Sequence, residues 1–197
     1  MACTSLTRGR NLDCNRISGG IKAVYFAVFD QITSITYDST AAPNQVREID
    51  DIDMGSNSIY RYILPIGTSS LTDTIVGSTE NGTLYYTPTI NIIYNKLSRA
   101  DQAEIKLLAA TKTVIFAELN ATLANGHNII TAMGMVNGMS LNAGTMDTGA
   151  AWGDRNGYSL TFDGMETQPF AMVKDYTTAP FDNLDSGNPI PIVSSDL

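Results

Sequence analysis

One histidine, His127, serves the whole chain. Any Ser-His-Asp or Cys-His mechanism must therefore run through it, since each needs an imidazole to take the nucleophile's proton. It stands in Asn125-Gly126-His127-Asn128, which predicts a hairpin tip with the ring exposed to water. No G-x-S-x-G elbow, P-loop or dinucleotide fingerprint accompanies it. Glu48, Glu80, Glu104, Glu118 and Glu166, with the aspartates, supply carboxylates for acid–base work on a glycosidic bond. No pair among them is singled out by spacing. Sugar sites also stack aromatic rings, and the chain holds a single tryptophan, Trp152.

Metal-binding patterns are equally sparse. Cys3 and Cys14 form no C-x-x-C pair and are read as free thiols, because two cysteines near one end make no disulfide framework. A zinc site would have to combine His127 with carboxylates. The acidic stretches Glu48–Asp53 and Asp182–Asp185 offer calcium-type oxygens without the D-x-[DN]-x-[DN]-G spacing, and are read as solvated loops. Met133, Met135 and Met139 lie at spacings that put all of them on one face of a strand, where thioethers pack a core or an interface. Gly134 and Gly138 form an isolated G-x-x-x-G in a strand context, which carries no weight. No residue is assigned a catalytic, cofactor-binding or metal role; the chain is read as non-enzymatic and without a cofactor.

The elements around these residues are mostly strands. Thr, Ser, Asn, Gly and Ile dominate, the mixture of pleated strands joined by tight turns. Ile21–Thr36 predicts one long strand or a pair broken near Asp30, and Ser58–Leu64 another strand closed by Pro65 and Gly67. The segment from Leu71 to Leu97 predicts an extended hairpin about Asn81-Gly82, with a type I′ turn. Ser98-x-x-Asp101 opens the one helix, expected over residues 99–112, because the hydroxyl caps early N–H groups and the acid suits the positive helix end. Thr113–Leu119 follows as a strand. The run from Asn128 to Leu141 reads as a strand that Asn137-Gly138 can split, then a glycine-rich link through Gly144, Gly149 and Gly153, then a closing strand Tyr158–Phe162.

The fold class expected is mainly β: an antiparallel sandwich or barrel with one short helix and an extended hairpin. Residues 1–18 are expected as an N-terminal arm, 19–166 as the β domain, and 167–197, with Pro169, Pro180, Pro189 and Pro191, as an extended tail lying along a neighbouring subunit.

Hydrophobic side chains make up 43% of the chain and charged ones only 16%. So low a charge content points to a surface covered by partners. No run of about 18 apolar residues predicts a membrane span, and MACTSLTRGR lacks a signal-peptide core, so assembly in the cytoplasm is expected. The net charge of −8 argues against a surface that grips phosphates. Arg8, Arg10, Arg16 and Lys22 against Asp13 make the stretch from Met1 to Lys22 basic. The stretch from Ala121 to Leu197 is acidic, with Arg155 and Lys174 against Asp147, Asp154, Asp163, Glu166, Asp175, Asp182, Asp185 and Asp196.

The basic arm ending at Gly19-Gly20, the strand from Ile21, the long Asn-Gly hairpin, one helix amid strands and the Asn-Gly-rich closing strands together resemble tailed-bacteriophage tail tube proteins, or the related tubes of contractile injection systems. The resemblance is one of layout across most of the chain. It implies a small β-sandwich whose hexamers set hairpins side by side into an inner β-barrel, with rings stacked into a tube that conducts DNA without binding it specifically. It also implies a structural virion protein of the tail, partnered by itself, by baseplate or initiator and terminator proteins, and by a sheath where the tail contracts, with no membrane. On that reading the hairpin Leu71–Leu97 faces the lumen, and the arm and tail make ring-to-ring contacts. Another virion component (neck, tail-completion or head-decoration protein) or a carbohydrate-binding or hydrolytic β-sandwich are the alternative readings.

Overall fold

A computed structural model describes residue 10 and residues 17–38, 48–184 and 189–194. Most of the expected arm, with Cys3 and Cys14, lies outside the described residues, as does Asp185. The fold is mainly β: strands β1 (Ile21–Val28), β2 (Ser34–Tyr37), β3 (Glu48–Asp53), β4 (Ile59–Ile63), β5 (Ser70–Ser78) and β6 (Thr83–Asn95) precede helix α1 (Arg99–Ala110). After it come β7 (Thr113–Thr122), β8 (Asn128–Met133), β9 (Ser140–Asp147), β10 (Gly157–Asp163), β11 (Ala171–Val173) and β12 (Ile192–Val193). They form an eight-stranded sheet, β12-β4-β1-β7-β8-β11-β3-β2, and a four-stranded sheet, β5-β6-β10-β9. No helix among the described residues is long and apolar enough to cross a membrane.

β1 shows why the larger sheet has no wet face at its centre. Ala23, Tyr25 and Ala27 enter one apolar core, while Ile21, Val24 and Phe26 enter another. Strict alternation would put Ile21 with Ala23, but a bulge between them against β7 restores it to the Val24 side. The second core lies between the sheets, where Ile90, Ile92, Leu160 and Phe162 of the smaller sheet and Ile105 of α1 meet Phe26 and Ile115. A strand buried on both faces reads as a continuous apolar run, as β1 does. The expected break near Asp30 is a single 3-10 turn, Phe29–Gln31, before β2.

Glu48–Asp53, expected as a solvated acidic loop, is instead strand β3. Ile35 faces Ile52 and Tyr37 faces Ile49 across the ladder, and a register shift between Thr36 and Tyr37 leaves Asp50 as the extra residue. That bulge turns two isoleucines three positions apart to the same side, which defeats a period-2 reading.

The stretch from Asn128 to Leu141 also differs from expectation. Gly134 and Gly138 take positive φ, 76° and 79°, and turn the chain out of one sheet and into the other. A Cβ at Gly134 would stand 2.6 Å from Met139 Cγ, so the turn needs glycine. Met133 and Met139 therefore fill the core between the sheets while Met135 packs against the other core, so the methionines share no single face. The expected glycine-rich link at Gly144 is part of β9.

The described residues beyond 166, expected as an extended tail on a neighbour, pack into this chain's own domain. β11 lies between β8 and β3, pairing antiparallel with the first and parallel with the second. Phe181, Leu184 and Ile190 are buried. Phe181 meets Tyr25 and Phe116 edge-on, with ring centroids 5.2 Å from each. Its backbone holds φ of 66°, uncommon for a bulky residue. Asp182 supports the turn by accepting N–H bonds from Thr177, Thr178 and Ala179. Those backbone donors, Ala179 foremost, pull the Asp182 carboxyl down to about 2. Asp182 is thus a turn-forming acceptor rather than part of a solvated acidic loop.

Helix α1 forms as its cap predicts, ending at Ala110 rather than 112. Ser98 Oγ accepts the Asp101 N–H at 3.0 Å and donates to the Asp101 carboxylate at 2.6 Å.

Candidate functional site

Ionisable groups gather at the rim of the core under Phe181. Strand register sets Ala23 opposite Glu118 and Tyr25 opposite Arg61, which brings groups from β1, β4 and β7 to one face. Glu118 is buried, 2% exposed, and its Oε2 accepts the Tyr25 hydroxyl at 2.7 Å. Lys22 Nζ donates to Glu118 Oε1 and to Asn128 Oδ1, each at 2.8 Å, and Arg61 approaches Glu118 at 3.7 Å. Burial raises the Tyr25 phenol above its ordinary value, and its bond to Glu118 adds to the shift. A buried carboxylate with this many donors is a satisfied one.

The same network continues to His127, which is not the exposed turn residue expected. Its Nδ1 lies 3.0 Å from Asp175 Oδ1, and its ring stacks on Tyr176 at 4.4 Å between centroids. The Tyr176 hydroxyl in turn accepts the Asn128 N–H at 3.1 Å. His127 thereby ties the β7–β8 turn to the segment after β11. This arrangement has the His–Asp half of a triad, but among the described residues no serine or cysteine is bonded to the ring. Its chemistry is that of a clamp between two chain segments.

The other carboxylates weighed as acids or bases are dispersed. Glu166, only 4% exposed, accepts the Val136 and Asn137 N–H groups, and burial raises its pKa. Glu104 borders an apolar groove of about 210 Å³ between α1 and β1, lined by Phe26, Tyr60, Tyr62 and Leu107. Burial, with Glu104 and Asp101 nearby, pushes the Tyr62 phenol up to about 12. Glu48 lies in β3 and Glu80 in the β5–β6 turn. Among the described residues no group of three or more His, Cys, Asp or Glu is placed to hold a metal ion.

The most distinctive surface is the four-stranded sheet. β6 has 13 residues, but β10 pairs only with Thr89–Asn95, so its first half is joined laterally by β5 and one bridge from Tyr86 to Glu166. The far end of the hairpin is thus a two-stranded ribbon projecting past the body. Its turn is a loop over residues 79–82, in which only Gly82 takes positive φ, 63°. A type I′ turn needs two such residues, so the one expected is absent. Ser78 Oγ accepts the Asn81 N–H within the loop.

The sheet's two faces differ sharply. Ile90, Ile92, Leu160 and Phe162 point into the core. The register sets Thr72 beside Thr89, Thr74 beside Thr87, and Asn91 beside Thr161 on the opposite face, joined by Ser159, Thr145, Asp163 and Asp147. That face is hydroxyl- and amide-rich, and its only charged positions in these ladders are carboxylates. Both outer strands, β5 and β9, have a free edge within the described chain, and every residue of β9 from Asn142 to Asp147 is exposed.

The hairpin and its alternating threonines were legible in the sequence. The Glu118 network was not, because Lys22, Tyr25, Arg61 and Glu118 come from three strands that only tertiary register aligns. No family model, characterised protein or solved structure matches the chain.

Proposed function

We propose that this protein is a tail tube subunit of a tailed bacteriophage or related injection system, closing into rings through its four-stranded sheet. The observation that carries the reading is the pair of free edges on an even-numbered antiparallel sheet. Because β5-β6-β10-β9 alternates direction throughout, β5 and β9 run oppositely. A second copy rotated about a ring axis therefore brings its β9 antiparallel to β5 of the first, and repetition continues one all-antiparallel wall. Closure removes exposed edges, which otherwise invite uncontrolled pairing. With strands about 4.8 Å apart and tilted about 40°, six such sheets make a wall roughly 50 Å across at the backbone.

In that ring the hydroxyl-rich face lines the lumen. It carries Asp163 and Asp147 and no cation in its ladders, so it repels phosphates and lets a nucleic acid slide. The expected role of the tail residues as a ring-to-ring strap is not carried forward, since they complete the subunit's own core.

Negative-stain electron microscopy of the purified protein across a concentration series tests the proposal. Hollow rings or tubes are the expected result. Monodisperse monomers at every concentration would overturn it and make a glycan-binding screen the next step.

A further inference from the structure

The loop between β9 and β10 holds its indole out into solvent. Trp152 is fully exposed, and Met146 nearby is 55% exposed. The loop is nonetheless built, not loose: Asp154 accepts the Ala150 and Ala151 N–H groups, and Asp147 accepts that of Gly149. The Ala151 and Ala150 donors hold the Asp154 carboxyl below its ordinary range. Gly149, Ala150, Ala151 and Gly153 flank the indole with small side chains, so it stands clear of the surface. Presenting an aromatic on a pre-ordered loop lowers the entropic cost of docking it.

An exposed apolar surface lies at the other end of the same sheet. On the projecting ribbon the core-facing side runs beyond the core, leaving Ile75 67% and Leu84 60% exposed. Ile75 faces Tyr86 in the ladder, and Leu84 follows on the same side. Met165, 67% exposed, precedes Glu166, which bridges to Tyr86. Register puts the Trp152 loop at the Asn95 end of β6 and this ledge at its Thr83 end. At roughly 3.4 Å per residue the two stand about 40 Å apart. Exposed Lys96, whose backbone N–H donates to the Asn156 carbonyl, lies at the indole's end beside the loop's Asp147, Asp154 and Arg155, while exposed Glu80 marks the ribbon tip.

We infer that the Trp152 loop of one copy docks on the Ile75–Leu84 ledge of a second copy, stacked head to tail along the direction of β6. This inference rests on the tube reading and specifies its axial contact. A contact between opposite ends of one molecule is heterologous and does not close, so it propagates into a filament. Its size fits a ring better than a dimer. An aromatic buries about 150–250 Å², far below the roughly 1,200 Å² of a stable pairwise interface. The contact is therefore weak singly and becomes strong when every subunit of a ring engages the next ring together.

The chain's single tryptophan makes the contact directly observable. Emission and acrylamide quenching are followed on the full chain as concentration rises, beside electron microscopy and sedimentation. The expected result is a shift to shorter wavelength and a several-fold loss of quenching as stacked tubes appear. Trp152→Ala and Ile75→Asp are each expected to stop at single rings and to need at least ten-fold more protein to stack. Trp152→Phe restores stacking in part. Tubes that form with the indole still fully quenchable, or Trp152→Ala tubes indistinguishable from wild type, would overturn this contact while leaving the ring intact. Absence of rings from the wild type would overturn the tube reading and this contact with it.

Discussion

The Tyr25 hydroxyl donates to Glu118 Oε2 at 2.7 Å from the neighbouring strand, at the one place where the described core beneath Phe181 admits a carboxylate. Removing the acid leaves the buried phenol without its acceptor, while Lys22 keeps Asn128 and, like Arg61, reaches solvent. Glu118→Ala is therefore expected to cost about 1–3 kcal/mol for the unsatisfied buried phenol, and more for the cavity the side chain leaves. Tyr25→Phe, which gives up one hydrogen bond to a charged group, costs about 1.5–3 kcal/mol. Urea unfolding of both variants checks the order; a cost for Tyr25→Phe above that for Glu118→Ala would contradict it.

Phe181, Leu184 and Ile190, all beyond residue 166, are part of the core. Phe181→Ala removes a ring packed edge-on against two aromatics and is expected to destabilise by about 3–5 kcal/mol. A strap lying on a neighbour would instead leave monomer stability unchanged and weaken assembly. Thermal denaturation at a concentration too low for assembly separates the two.

Two carboxylates set opposite pH trends. Burial raises Glu166 above its usual 4.5, so above that pH the native state still holds a proton the unfolded chain has released. Stability falls as pH climbs through that window and levels off beyond the folded pKa. Glu166→Gln should flatten the slope relative to wild type. Asp182, drawn down to about 2 by backbone N–H groups, contributes stability present above the usual 3.8 and lost as pH falls toward the folded value. Asp182→Asn should lower the melting temperature at neutral pH and narrow the gap to wild type below that usual value. Melting temperatures recorded from strongly acidic to neutral pH for all three proteins check both signs.

At the helix start, Ser98→Ala removes the acceptor for the Asp101 N–H and is expected to cost about 1 kcal/mol. Ser98→Asp, which restores an acceptor, should recover most of it, though beside the Asp101 carboxylate not all. Denaturant midpoints of the two variants decide this.

Local patterns carried the sequence reading where one element's own residues determine it. The Asn81-Gly82 hairpin, the Ser98 cap and the apolar run of β1 are such cases, and the structure has all of them. Elements whose shape depends on a distant partner were lost. β3 shows its apolar side only after a bulge opposite Tyr37, and the short β11 exists because β8 and β3 leave a gap for it. His127 looked like a solvent-facing turn because Asp175 and Tyr176, which hold it, come far later in the chain. The exposed ends of the smaller sheet were half legible: threonine alternation marked the hydroxyl face, but composition alone gave no sign that Trp152 stands outside the core.

The place of β11 has a consequence for how the polypeptide is made. β2 and β3 join the larger sheet only through that short strand, so during synthesis they wait as a detached hairpin until Ala171–Val173 emerges. Phe181 is added long after the Tyr25 that it covers. At a synthesis rate of roughly 5–20 residues per second, the aromatic floor stays uncovered for about 8–30 s on the ribosome. A chain cut short before this point keeps its edges for self-pairing yet lacks the cover that fixes its shape. Completion of the core thus waits on nearly the whole polypeptide, and Tyr25 is packed only when the residues around Phe181 have been made.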